Sequence, residues 1–388
     1  MLALRAGGLV LPGYPAPVPG VIVVDPDRGT VAEVGPDVRE PAGSEVIVLE
    51  EAVIGPGLID CHSHIGLVEM GGGDMGDDLN ELTGPLMPQV RAIDGVNWYD
   101  PAFERAVSGG VTAVGVLPGP GNVVGGQAVA IHTWGRPGER VLKHPAGMKC
   151  ALGELPKRAA GRRGGSPQTK MAAVALLRQS MCGGREYARG TASGGRAPGR
   201  RDLAAEAWIP VLNGDIPLRV HAYRAAEIEQ ALGVAREFGV RMVLEHAPES
   251  PRLADELAER NVPVVCNPYF TSPSRREQMA AGPDLPALLV SAGIAVAIST
   301  NHPEISAWSL RHAAGTSLRY GMSWRDAIAA ITETPARILG INGVTGSLAA
   351  GKYADIVVWD GDPLDWRTKP LAVFIRGRRV WGGAGSAR

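Results

Sequence analysis

The architecture of the chain follows from VIGPGLIDCHSHIG, residues 53–66, where a His-x-His pair ends an apolar run. Such a run is typical of a buried strand, in which side chains repeat their direction every second residue. His62 and His64 lie two positions apart, so both imidazoles project to the same side of the strand. One metal ion can therefore bind both rings.

Further apolar runs follow at intervals, and turn residues and a helical pattern come after each. The runs are GVTAVGVLPG (110–119), AGMKCALGE (146–154), PLRVHAYR (217–224), RMVLEHAPE (241–249), VPVVCNPYF (262–270) and IAVAIST (294–300). A typical helical segment is AAEIEQALGVAREFG, residues 225–239, with apolar residues at helical spacing. Strand and helix alternate about eight times, which predicts an α/β fold, a (β/α)8 TIM barrel, rather than an open doubly wound sheet.

Both ends of the chain show short β-branched runs separated by turn residues. They are GVIVVDPDRGTVAEVG (20–35) and EVIVLEEAVIG (45–55) near the start, and GSLAAGKYADIVVWDGDP (346–363) and PLAVFIRGRRVW (370–381) near the end. This rhythm predicts a small composite β-sandwich built from both termini. We expect residues 1–54 and 344–388 to form it, and residues 55–343 to form the barrel.

Composition limits the partners that the chain can have. The formal net charge is −1 over 388 residues, so no global field favours nucleic acid or an anionic membrane. No apolar run has the length of a membrane span, and four scattered cysteines do not make a disulfide framework. No Gly-x-Gly-x-x-Gly fingerprint opens a predicted helix. We expect a cytoplasmic protein with a small-molecule or peptide substrate, and a homodimer is a reasonable prior for a barrel.

Four of the eight histidines lie at or near the ends of predicted strands. They are His62, His64, His221 and His246. The carboxyl ends of barrel strands converge on one mouth, so these residues can meet although they are far apart in sequence. Neutral imidazole binds zinc, iron, nickel and related ions, which predicts a transition-metal site without choosing the metal.

These motifs resemble the amidohydrolase superfamily, which contains metal-dependent hydrolases on a barrel with a composite β-sandwich. GPGLIDCHSH, residues 55–64, is similar to the superfamily's first-strand motif, and residues 346–363 and 370–381 are similar to its C-terminal segment. PGPGNVVGGQAVAIHTWG (118–135) and AGMKCALGELPK (146–157) resemble the branch that contains imidazolonepropionase-like and prolidase-like members. The resemblance covers nearly the whole chain.

The resemblance implies one or two divalent metal ions. Zinc is the preferred metal, and iron, manganese and nickel are also compatible. The implied ligands are His62, His64, Lys149, Glu154, His221, His246 and Asn301. Lys149 and Glu154 both fall near the end of the fourth barrel strand. Lys149 is either a carbamylated ligand that bridges two ions or a structural lysine whose amine extends to solvent. Glu154 is the alternative direct ligand.

Asn301, in AVAISTNHPE (295–304), departs from the family pattern, which ends the eighth strand in an aspartate that takes a proton from the attacking water. An amide oxygen ligates weakly and cannot serve as that base. Three explanations stay open. The chain is an engineered inactive variant, it uses another base such as Glu154, Glu304 or His302, or it has lost hydrolysis.

The functional hypothesis is a hydrolase that attacks a C–N bond with a metal-bound hydroxide. The bond belongs to an amide, a cyclic amide, an amidine or a peptide, and peptide processing in natural-product biosynthesis is one form of this activity. Asn301, Glu154 and Tyr223 are the candidate catalytic residues, and Tyr223 is either a hydrogen-bond donor to a developing oxyanion or a packing residue. The alternative is a metal-bearing binding protein without catalysis, which Asn301 favours.

Residues 183–202, GGREYARGTASGGRAPGRRD, are rich in glycine, arginine and serine and show no apolar period. This composition predicts a solvated loop, with a lid over the substrate as the alternative.

Overall fold

Fifteen strands pair into two sheets in the computed structural model, which describes residues 1–162, 164–192, 201–267 and 275–382. The strands are β1 (Leu2–Leu9), β2 (Val18–Asp25), β3 (Thr30–Gly35), β4 (Glu45–Pro56), β5 (Leu58–Ser63), β6 (Val111–Val116), β7 (Val124–His132), β8 (Val141–Ala151), β9 (Leu218–Ala222), β10 (Met242–His246), β11 (Val264–Cys266), β12 (Val296–Ile298), β13 (Ile356–Trp359), β14 (Pro370–Ile375) and β15 (Arg378–Trp381).

Strands from both ends of the chain form one seven-stranded sheet, in the order β15-β14-β13-β4-β1-β2-β3. β13 joins the two halves because it pairs antiparallel with the end of β4, from Ile356 opposite Pro56 to Trp359 opposite Val53. β2 and β3 form the predicted antiparallel hairpin. The contribution of both termini to this sheet agrees with the expectation, whereas its arrangement as a two-layered sandwich and the domain boundaries stay predictions.

The second sheet contains eight strands in the order β12-β11-β10-β9-β8-β7-β6-β5 and curves into a nearly closed barrel. Each of the six apolar runs predicted from the sequence overlaps one of these strands, namely β6 and β8 to β12, although β8 begins at Val141, before its run. β7, however, runs antiparallel to both of its neighbours. Only residues 117–123 connect β6 to β7, and a parallel pair needs a crossover of a dozen or more residues. The regular strand-helix alternation that we predicted therefore fails at β7.

A buried carboxylate bridges the two edge strands of the barrel sheet. Asp60 of β5 accepts hydrogen bonds from the Ser299 hydroxyl at 2.7 Å and from the Thr300 backbone N–H at 3.2 Å, directly after β12. The Thr300 hydroxyl also donates to Asp60. Ser299 Oγ lies 2.6 Å from the backbone oxygen of His62 as well. This seam holds the ends of β5 and β12 together beside the His-x-His pair.

Helices surround the barrel and fill the connections between its strands. The α-helices are α1 (Ala92–Gly95), α2 (Ala102–Ser108), α3 (Glu154–Arg162), α4 (Lys170–Ala192), α5 (Leu203–Glu206), α6 (Ile209–Leu212), α7 (Ala225–Phe238), α8 (Ala254–Glu259), α9 (Leu285–Ser291), α10 (Leu310–Leu318), α11 (Trp324–Ala329) and α12 (Glu333–Leu339). Short 3₁₀ segments are Gly73–Gly76, Pro137–Glu139, Ser250–Leu253, Arg276–Gln278 and Ala307–Ser309. Within the described parts of the chain, none of the helices combines the length and the apolar content that a membrane span requires.

The segment 183–202 differs from the loop that its composition predicts. α4 extends through it as far as Ala192, so its first half is helical. Trp208 explains part of this order, because its buried indole N–H donates to Ser180 of α4 at 2.9 Å and its ring lies against Gly184. Residues 193–200 lie outside the described residues.

A buried hydrogen bond between a histidine and a carboxylate joins the barrel to the seven-stranded sheet. His132, the last residue of β7, lies 2.9 Å from Asp355 through Nε2, and both side chains are 1% exposed. The same carboxylate accepts from the Thr345 hydroxyl at 2.7 Å and from the Arg376 backbone N–H at 3.0 Å. A buried carboxylate with three partners thus connects elements from three parts of the chain.

The Asp355→Asn variant should lower the free energy of unfolding by about 2 kcal/mol, because an amide cannot accept all of the hydrogen bonds that His132, Thr345 and Arg376 make to this buried carboxylate. Urea denaturation measures this loss. Asp365→Asn is the matched control, since Asp365 pairs with an exposed Arg367 and solvent screens this pair, so its loss should cost much less. Equal midpoints for the two variants would contradict the structural role of the pair.

Candidate metal centre

The four predicted histidines meet at one end of the barrel. His62 lies in β5 and His64 directly follows it, whereas His221 lies in β9 and His246 ends β10. All four are buried, with at most 5% of each side chain exposed. The ring centroids of His62 and His64 are 5.4 Å apart, those of His62 and His246 are 5.1 Å apart, and those of His221 and His246 are 4.6 Å apart. We call these four residues the histidine cluster.

The ring contacts of the cluster fit a shared metal ion. Two imidazoles that bind one zinc ion at about 2.0–2.1 Å place their ring centroids roughly 5 Å apart. His62 donates from Nδ1 to Glu245 at 2.5 Å, and His64 donates from Nδ1 to the Leu117 carbonyl at 2.7 Å. Each ring therefore keeps Nε2 as the nitrogen with a lone pair, the arrangement that metal-binding histidines use.

Two further observations concern the same fit. Both ring nitrogens of His221 are buried and lack a hydrogen-bond partner within the described residues, which suits a metal ligand. However, no three His, Cys, Asp or Glu side chains among the described residues are arranged so that they could hold a metal ion together. In His62, for example, the nitrogen that would bind a metal, Nε2, lies 3.3 Å from the Lys149 amine.

Burial keeps the histidine cluster neutral. It is the main cause that lowers the pKa of His62, His221 and His246 well below the usual range, and positive neighbours add to it. Burial, followed by the charge of Lys149, lowers the pKa of His64 to about 3. Neutral imidazole is the form that binds metal, so these rings need no deprotonation at neutral pH.

Lys149 lies inside the barrel, on β8, beside the histidine cluster. Its side chain is fully buried. The amine therefore does not extend to solvent, which differs from the alternative of a structural lysine with a solvent-exposed amine. Burial lowers the pKa of Lys149 to about 8, against an opposing effect of Glu245 that raises it. A substantial fraction of the amine is therefore neutral near physiological pH, which carbamylation requires.

Glu245 and Arg219 are site residues that the sequence analysis missed. Both are fully buried, and Glu245 binds the Nε of Arg219 through one carboxylate oxygen and Nδ1 of His62 through the other. Arg219 also donates to the backbone oxygen of Cys61 at 2.8 Å. The available signal was a charged residue inside each of two apolar strand runs, because charges are rarely fully buried without a partner.

Tyr223 joins the cluster from the end of β9. It is buried, and its ring stacks on His246 with centroids 5.0 Å apart and an interplanar angle of 16°. Glu227, near the start of α7, fixes the local backbone by accepting from the N–H groups of Tyr223 and Arg224 at 3.2 and 3.1 Å. The α7 terminus thus positions the ring against the histidines.

Asn301 lies just past β12 with a positive φ of 51°, a conformation that asparagine and aspartate tolerate better than most residues. Its amide donates to Glu304 at 2.7 Å, and its buried Oδ1 has no hydrogen-bond partner within the described residues. His302 is buried, its pKa is lowered by burial, and its backbone oxygen accepts from the N–H of His64 at 2.9 Å.

Glu154 has different surroundings from the other predicted ligands. It begins α3 with 39% of its side chain exposed, and its carboxylate lies 3.8 Å from Arg158. Its backbone N–H donates to Glu277 at 3.3 Å. The structure thus joins Lys149 and Tyr223 to the histidine cluster and directs Glu154 toward Arg158, so the role of Glu154 stays a prediction.

Comparison with solved structures gives a match over the whole chain. The crystal structure of an amidohydrolase from Thermotoga maritima MSB8 superimposes with a TM-score of 0.94 and 36% sequence identity, covering 99% of this chain and 100% of that one. The chain belongs to the amidohydrolase family. The amidohydrolase family model also matches residues 215–380, which include β9, β10 and the second half of the barrel.

Two curated proteins are similar to this chain over most of its length. Amidohydrolase tasK from Hapsidospora irregularis is 29% identical over 390 residues, and the match covers 90% of this chain but only 39% of that protein. An imidazolonepropionase from Paracidovorax citrulli is 25% identical over 393 residues, covering 91% of this chain and 88% of the relative. Membership in the family supports a hydrolase that acts on C–N bonds and uses a divalent metal.

The pKa of His64 predicts a pH dependence of stability in chelator-treated protein. The unfolded imidazole binds a proton below pH 6.5, whereas the folded one stays neutral down to about pH 3. The folded state therefore loses about 1.4 kcal/mol per pH unit from this residue as pH falls from 6.5 toward 3. His64→Asn should reduce the slope by that amount in urea denaturation between pH 6 and 4.

Above pH 7 the His64→Asn variant and the parent chain should show the same slope, because both His64 states are then neutral. If the unfolding free energies of the two proteins changed equally with pH between pH 6 and 4, His64 would not be held neutral by its surroundings.

Proposed function

We propose that this amidohydrolase hydrolyses a C–N bond at the mouth of the barrel and that the histidine cluster is its metal site. The observation that carries the proposal is the convergence of four buried, neutral imidazoles, two of which donate from Nδ1 and therefore carry their lone pair on Nε2. This is the donor chemistry that zinc and related ions select.

His62, His64, His221 and His246 would hold one or two divalent ions, zinc first, with Lys149, Glu154 and Asn301 as further proposed ligands. Such an ion, when bound, acidifies water and polarises the carbonyl of the scissile bond. A second ion would require a bridging ligand, and the buried amine of Lys149, with its pKa lowered to about 8, supports a carbamate there.

Tyr223 is proposed to donate a hydrogen bond to the oxyanion that develops during attack. Its ring is fixed by the stack on His246 and by its contact with His221 at 4.9 Å between centroids. A donor that is already oriented stabilises developing charge without reorganisation during the reaction.

The proton transfer is the weak step in this site. The Asn301 amide cannot accept a proton, and its Nδ2 is bound to Glu304. Glu304 is the nearest carboxylate contact of Asn301, and it is exposed, so it is the alternative base with direct access to solvent. We infer slow turnover unless such a residue replaces the expected aspartate.

The proposed substrate classes are an amide, a cyclic amide, an amidine and a peptide. The name imidazolonepropionase, carried by several relatives, supports the cyclic amide among them. Peptide processing in natural-product biosynthesis is the other form of the proposal.

A second candidate function is a metal-bearing protein that binds a ligand without hydrolysis. The observation that favours it is Asn301, which occupies the position of the expected base with an unpartnered buried oxygen. The two functions make opposite predictions for the hydrolysis rate of the Asn301→Asp variant.

Asn301→Asp should raise the hydrolysis rate by about 10² to 10⁴, because a carboxylate at this position can take a proton from the attacking water. The positive φ of residue 301 permits the substitution. Initial rates on cyclic amides and dipeptides measure the effect, and Asn342→Asp, at an exposed position, controls for the added charge. An unchanged rate on a verified substrate would contradict the role of residue 301 as the base, whereas hydrolysis by neither the parent chain nor the variant would favour the binding protein.

Glu245→Gln should weaken metal affinity about 10- to 100-fold, because glutamine no longer holds Nδ1 of His62 as a charged acceptor. Competition with a chromogenic chelator measures the affinity, and circular dichroism checks the fold because Arg219 also loses its partner. Glu249→Gln is the matched control, since Glu249 accepts from the backbone N–H of Ala225. Equal affinities would exclude a positioning role for Glu245.

A further inference from the structure

A cavity of about 630 Å³ opens at the end of the barrel opposite the histidine cluster. Met242, the first residue of β10, lines it, whereas His246 at the other end of the same strand belongs to the cluster. Pro263 and Ala295, which directly precede β11 and β12, line it as well. In barrel enzymes the reaction takes place at the carboxyl ends of the strands, so a ligand here would not be a substrate of the site described above.

Positive charge dominates the polar lining of this cavity. Four arginines line it, namely Arg236, Arg241, Arg260 and Arg337, and its lining residues include neither aspartate nor glutamate. Glu256, which lies outside the lining, pairs with Arg236 at 2.9 Å and with Arg260 at 3.1 Å. These two charges are therefore partly neutralised.

Arg241 and Arg337 instead use neutral acceptors. Arg241 donates from Nε and Nη2 to the Gly214 carbonyl at 3.1 and 2.6 Å, and Arg337 donates from Nη2 to the Thr334 hydroxyl at 3.0 Å. Among the ion pairs of the described residues, none within 4.0 Å involves either guanidinium. Two full positive charges thus remain without a carboxylate at the cavity.

Lys143 adds a third cation nearby. Its amine lies against Gly340, which ends the helix that carries Arg337. Burial lowers the pKa of Lys143, and the charge of Arg241 lowers it further against an opposing effect of Asp215. The positive charges at this end of the barrel therefore repel one another, and an anion would relieve that repulsion.

The remaining lining of the cavity is largely apolar and includes Leu232, Val240, Val262 and Ile338. Its volume falls in the range of about 300–1,000 Å³ that small-ligand sites occupy. Guanidinium groups match phosphate oxygens in geometry and charge, and an apolar wall accommodates the organic part of a ligand.

We propose that this cavity binds a phosphate monoester with an apolar body, held by Arg241 and Arg337, as a site separate from the histidine cluster. The phosphate dianion pairs with the two arginines, and the organic group packs on the apolar wall. Tight binding requires both the phosphate and the organic group.

Isothermal titration calorimetry on the purified full chain tests this site with phenyl phosphate, inorganic phosphate and benzyl alcohol as probes. Phenyl phosphate should bind at least about tenfold more tightly than either other probe. The double variant Arg241→Gln/Arg337→Gln should lose at least about tenfold in affinity for it. The matched control is Arg105→Gln/Arg319→Gln, which changes two exposed arginines that do not line the cavity and should keep the parent affinity.

Three results would overturn the proposal. Phenyl phosphate that binds no tighter than benzyl alcohol would remove the role of the charges. Inorganic phosphate of equal affinity would remove the role of the apolar wall. Retained affinity in the double variant would place binding elsewhere, such as at the histidine cluster.

Discussion

The buried carboxylate of Glu245 is the constraint on which the geometry of the site depends. It contacts Arg219 of β9 and His62 of β5 from its own place in β10, so it connects three strands inside the barrel. Removal of one partner from such a network leaves an uncompensated buried charge, which costs several kcal/mol. Because the same carboxylate orients the His62 ring, folding stability and ligand orientation have one physical origin.

A second carboxylate, Asp60, completes this arrangement at the seam between β5 and β12. Its hydrogen bonds to Ser299 and Thr300 bring the segment that carries Asn301 beside the His-x-His pair. Burial raises the pKa of Asp60, and the hydroxyl and N–H donors offset only part of that effect. The barrel therefore closes through polar side chains where its two edge strands meet, and residue 301 reaches the mouth of the site as a consequence.

The sequence permitted prediction of the features that depend on local pattern. Apolar runs located β6 and β8 to β12, and the helical spacing of residues 225–239 located α7, which ends before Gly239 in a left-handed conformation. The reversal of β7 departs from the predicted alternation because only residues 117–123 connect it to β6, which is too short for a parallel crossover. The Glu245–Arg219–His62 contacts could not be predicted, since they depend on the register of strands that are distant in sequence. The sequence proposed Lys149 as a site residue, but only the fold shows that its amine is enclosed beside the histidine cluster.

Metal content per chain tests the central claim most directly, by elemental analysis of protein purified without added metal or chelator. The account predicts about one or two equivalents of a divalent transition metal, and a large loss of it in the His221→Ala variant, because the buried nitrogens of His221 are assigned to the ion. Two equivalents would support carbamylated Lys149 as the bridge, and one would leave that lysine structural. Metal content near zero, with no uptake when zinc is added, would contradict the account.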